Sequence, residues 1–242
     1  MKHRSEAGFV FVAVLFSYAL LSAAHFAARG RLRSEPFLTV PVQLLLCGVL
    51  LVRLRRRGLL SYYGLTPVRA LAHKKLLYYL PLVLLCCPNL LSGAAGKDSG
   101  TDLLLLLGML LTGFMEELFF RSFLVRLLQR KSEQLAIMAS AFLFGAAHLL
   151  NLSSGQSAAY TLWQAGAAAA FGFMAAVFLL KTGSILPCVL CHGVMNMEAA
   201  LLPSAPPAAA ATALAVMLLA AGYGCYLLRM PTVGRENTSG QE

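Results

Sequence analysis

The sequence predicts an all-α fold: a polytopic integral membrane bundle of about eight transmembrane helices, with both termini cytoplasmic. Three observations carry that expectation. Hydrophobic residues make up 59% of the 242-residue chain and charged residues 12%, about half the charge of a typical soluble domain. The apolar residues come in long blocks rather than in alternation with polar ones. The 20 lysines and arginines fall almost entirely between those blocks. Cations so spread suit loops at an anionic membrane surface and argue against a nucleic-acid face.

The blocks can be taken in order: 8–28, 37–52, 76–91, 103–120, 135–150, 158–180, 185–202 and 208–228. Several are shorter than the roughly 20 residues that cross a bilayer, so their ends must reach into the flanks. The first follows "MKHRSEAG" and mimics a signal peptide, but no cleavage site and soluble body follow it, so it reads as an uncleaved span. Pro81 and Pro88 should bend the third. Alanine and glycine crowd the sixth ("AGAAAAFGF"), which permits close helix contact. All six cysteines lie in apolar blocks and read as buried free thiols. The stretch "GLLSYYGLTPVRALAHKK" between the second and third blocks suits the membrane interface.

Loop charge tests the count. The N-terminus, the 2–3, 4–5 and 6–7 connections and the C-terminus together hold 15 lysines and arginines, against 4 in the other connections. The positive-inside rule then puts both termini in the cytoplasm. Residues 1–100 form an N-terminal part of three spans with a basic cytoplasmic loop. Residues 101–229 form a membrane core, and 230–242 a disordered tail. The chain is expected to be multi-pass, and in the plasma membrane if its host is bacterial.

One short stretch of the fourth block, "FMEELFFRSF", breaks the apolar pattern with two glutamates and an arginine. An ion at mid-bilayer costs about 2.5–3.5 kcal/mol, so Glu116, Glu117 and Arg121 must face protein or water. Glu117 and Arg121 are four apart, share a helix face and can pair. Glu116 points roughly 100° away and has no cation on its own face. Such a carboxylate is a candidate general base.

Two histidines also fall deep in apolar blocks. His148 follows Phe144 by one turn, and His192 precedes Asn196 by one turn on the same face. A lone membrane histidine often serves as a helix-to-helix hydrogen bond. Two of them, an asparagine and a spare carboxylate point instead to a shared site. Glu198 leaves the His192 face and reads as structural. By rise per residue, Glu116 and His192 reach similar depths in the cytoplasmic half. His148 matches them only if its helix starts near Ser132.

"EELFFR" at 116–121, "FGAAH" at 144–148 and "HGVMN" at 192–196 fit EExxxR, FxxxH and HxxxN in order. Over roughly residues 100–200 the chain resembles the CPBP family of type II CAAX prenyl proteases and bacteriocin-processing or immunity enzymes, also called Abi. The resemblance implies an intramembrane endopeptidase in which Glu116 activates a water and His148 helps hold it. It also implies that His192 and Asn196 stabilise the oxyanion, and that Glu117, Arg121 and Phe144 support the architecture. Partners implied are membrane lipid and a peptide or lipidated protein. No cofactor is expected, the alternative being zinc at Glu116, His148 and His192, though HExxH is absent. The site is expected to open toward the cytoplasm. Two rival readings use the same residues: a proton-coupled transporter, and a non-catalytic immunity protein.

Overall fold

The computed structural model describes residues 35–68, 79–88, 103–201 and 206–230, and among them it is all-helical. The expected first span at 8–28, the basic stretch 69–75 and the tail from 231 lie outside the described residues. The helices are α1 (Glu35–Arg56), the short α2 (Leu80–Leu84), α3 (Leu103–Glu117), α4 (Glu133–Ala147), α5 (Ala158–Thr182), α6 (Leu186–Leu201) and α7 (Pro206–Leu228). Among the described residues, four stretches are long and apolar enough to cross a bilayer: Leu103–Leu128, Glu133–Ser153, Ala158–Thr182 and Ala208–Leu228. Helix α6 is apolar but shorter, about 24 Å at the α-helical rise. With this many apolar helices the chain is an integral membrane protein. Outer faces carry residues such as Phe142, Leu150 and Leu218, each about two-thirds exposed or more, as lipid contact requires.

Local sequence sets the helix ends. The Ser132 hydroxyl accepts a hydrogen bond from the Leu135 N–H, so α4 begins where the depth argument needs it. Ser157 caps α5 in the same way, and Gly183 (φ 73°) ends it in the left-handed region that suits glycine. The fourth block is longer than its hydropathy suggests. After Glu117 the backbone continues as a π-helix over Leu118–Val125 and then as Arg126–Leu128. The third block is not one bent helix among the described residues. Pro81 sits in the first turn of α2, where its missing N–H costs nothing, and the helix ends by Leu84.

Helix α5 is the centre of the bundle. Its residues Met174 to Leu179 are all fully buried, so every face of that stretch is covered. It packs between α4 and α7, while α6 packs on α3 and α3 on α1. The small residues act as expected: a methyl on Gly172 would come within 3.1 Å of Ala141 Cα. All six cysteines are free, but Cys225 is exposed on the outer face rather than buried.

One end of the bundle gathers the connections expected to share a side. Ser122 Oγ donates to the Tyr63 carbonyl at 2.6 Å, and Arg130 donates to the Tyr62 hydroxyl at 3.1 Å. The Ile185 N–H donates to the Gly64 carbonyl, and Lys181 donates to the Met230 carbonyl at 2.7 Å. Leu59 and Tyr63 are buried against the end of α3, so this part of the 2–3 connection is inserted into the bundle rather than laid along the interface.

Candidate active site

The site begins at a crossing of two glycines. Helices α3 and α6 touch at Gly113 and Gly193, where a methyl on Gly113 would sit 2.9 Å from Gly193 N and 3.0 Å from its Cα. Only hydrogen fits between the backbones there. This contact sets His192, next to Gly193, beside Glu116 and Glu117, one turn on from Gly113.

His192 lies between the two carboxylates. Its Nδ1–H donates to Glu117 Oε1 at 3.0 Å, and its Nε2 faces Glu116 Oε2 at 3.4 Å. Glu117 Oε1 also meets Arg121 at 3.2 Å, and both members of that pair are fully buried. The separation is that of an ion pair, without the alignment of a hydrogen bond. The guanidinium instead lies over the Phe144 ring, 4.1 Å from its centroid, so a π-face covers a charge that lipid could not. Phe144 is the hub, with its ring against Phe120, His148 and His192 at 5.0, 4.9 and 5.5 Å. Phe171 covers another side of His192 at 5.1 Å.

Each ring nitrogen of His192 thus has a carboxylate oxygen within 3.4 Å, and Arg121 stands against one of the two carboxylates.

His148 and Asn196 meet His192 around one cavity of about 140 Å³ that all three line. His148 ends α4 with Nδ1–H donating to the Phe144 carbonyl at 2.9 Å, which leaves Nε2 as its other hydrogen-bonding atom. The Asn196 amide makes no hydrogen bond among the described residues. Glu116 is not among the residues that line this cavity, and its side chain, 3.4 Å from His192 Nε2, is 19% exposed. Glu198 is buried toward the end of α6, away from this wall.

The cavity runs in a direction that the loop charges did not suggest. Its floor is Phe144, Phe171, His192 and Val216, and its wall rises to Tyr160, Ala199 and Ala209. Given the helix directions, all of these climb away from the arginine-rich connections. The lining residues thus lie on the side of His192 away from the basic end, toward which the site was expected to open. Hydropathy and loop charge carry no information on where packed helices leave a gap.

Sequence reasoning also missed three features. Glu117 was read as half of an ion pair, yet it is the direct hydrogen-bond partner of His192. The glycine crossing carried a faint signal, since Gly113 and Gly193 each stand beside a motif. Tyr160, Trp163, Gln164 and Thr212 of the cavity wall carried none. Zinc at Glu116, His148 and His192 would need three converging donors, and among the described residues no three His, Cys, Asp or Glu side chains converge in that way.

Residues 99–197 match the family model described as type II CAAX prenyl endopeptidase Rce1-like. No curated protein and no solved structure matches the chain.

Proposed function

We propose, from the match over residues 99–197, that the protein is a membrane endopeptidase that hydrolyses a peptide bond beside His192, with Glu116, whose side chain is 19% exposed, as general base. The observation that carries the reading is His192 held between two carboxylates of unequal freedom. Glu117 is locked by Arg121, and Glu116 is not. One carboxylate orients the imidazole, and the other is left to move a proton.

The steps follow from the atoms. His192 Nε2–H and the Asn196 amide donate to the substrate carbonyl oxygen, where negative charge develops. Glu116 takes a proton from a water as that water attacks the carbonyl carbon, and His148 Nε2 accepts the second hydrogen of the same water. The tetrahedral intermediate collapses, the carbon–nitrogen bond breaks, and Glu116 returns its proton to the leaving amine. No step is routed through a metal. Substrate, a peptide or lipidated protein, enters from the end opposite the arginine-rich connections, where the cavity wall reaches Tyr160.

The test compares membrane peptidomes of cells expressing wild type and Glu116→Gln. The substitution keeps shape and removes the base, so cleavage should fall by about 10²–10⁴-fold with the protein still folded. Unchanged cleavage would refute the role. Solute or proton flux in liposomes without cleavage would favour the transporter reading.

A further inference from the structure

Halfway up the cavity wall stands an amide held by two others. Gln164 Oε1 accepts from Asn151 Nδ2 at 2.9 Å and from Gln156 Nε2 at 2.8 Å. Gln164 lines the cavity, so with its carbonyl committed, the atom left to face the cavity is Nε2. That nitrogen makes no hydrogen bond to a described residue. Two donors on one oxygen fix the side-chain direction, and a fixed donor among Tyr160, Trp163, Ala167 and Ala168 of the wall is a specificity element.

Its height gives its role. Gln164 is seven residues from Phe171 on α5, about 10 Å above the floor. An extended peptide covers that distance in about three residues. We infer that Gln164 donates to a substrate main-chain carbonyl about three residues from the cleaved bond, and so measures substrate length on that side. The inference rests on the endopeptidase reading above.

The test uses full-length protein in lipid nanodiscs and synthetic copies of a peptide that only wild type removes from the membrane peptidome. The peptide is shortened one residue at a time from each end. With wild type, KM should rise about two- to tenfold when the third residue on one side is lost, the size of one hydrogen bond, with kcat little changed. Gln164→Glu keeps the packing and an oxygen for Asn151 and Gln156, but turns an acceptor toward the cavity. Gln164→Met removes the amide. Both should abolish the length step, raising KM for long peptides and leaving short ones alone. A step that survives in both variants overturns the inference, as does an equal loss at every length, which would mark Gln164 as structural. If wild type removes no peptide at all, the endopeptidase reading has failed, and this inference with it.

Discussion

Gly113→Ala is the sharpest test of how the site is assembled. The added Cβ would lie 2.9 Å from Gly193 N and 3.0 Å from its Cα, both backbone atoms that no rotamer can move. Restoring ordinary contact at 3.4 Å or more requires α3 and α6 to part by about half an ångström. Overpacking of that kind costs about 1–3 kcal/mol, so the chain should still fold with a modestly lowered melting temperature. The effect on chemistry should be larger. The Glu117 and Glu116 contacts with His192, at 3.0 and 3.4 Å, both bridge this crossing, and a misplacement near 1 Å can cost about 10²-fold in rate. Gly193→Ala should be milder, because its Cβ would first meet the Leu110 side-chain tip at 2.7 Å, which can give way. Gly48→Ala and Gly222→Ala, where a methyl meets nothing within 4 Å, are the controls. Turnover of the same synthetic peptide and melting in detergent would be followed for all four. Gly113→Ala at wild-type turnover would refute the argument that this crossing sets the catalytic geometry.

Two further outcomes follow from the cluster. Arg121→Leu leaves Glu117 buried without its cation and should destabilise the fold by about 3–5 kcal/mol, read by melting. Arg121→Lys should not restore it, because a point charge replaces the planar group stacked on Phe144; full recovery would count against the stacking. Incubation with a strong zinc chelator should leave peptide cleavage unchanged, and loss reversed by added zinc would overturn the metal-free route.

The motif residues were legible because each breaks a local rule. A carboxylate in a leucine run is costly wherever the run packs. The four-residue spacing of Glu117 and Arg121 fixes a shared helix face from the sequence alone. The start of α4 at Ser132 was likewise readable, because capping is a contact within one turn. The π-helix after Glu117 was not, since no residue in "LFFRSFLV" demands it. Nor was the Gln164 clamp, whose three amides look like ordinary loop and helix polarity until Asn151 and Gln156 fold back onto α5.

The sequence by itself determined that the chain lives in a membrane, which side chains are too costly to face lipid, and that Glu117 and Arg121 can pair. Those are properties of single residues or of one helix turn. Only the tertiary structure decided that His192 sits between Glu116 and Glu117, and that the cavity rises away from the basic loops. Glu117 and His192 are 75 positions apart. Their meeting depends on two hydrogens at a glycine crossing, a fit between surfaces that no local pattern encodes.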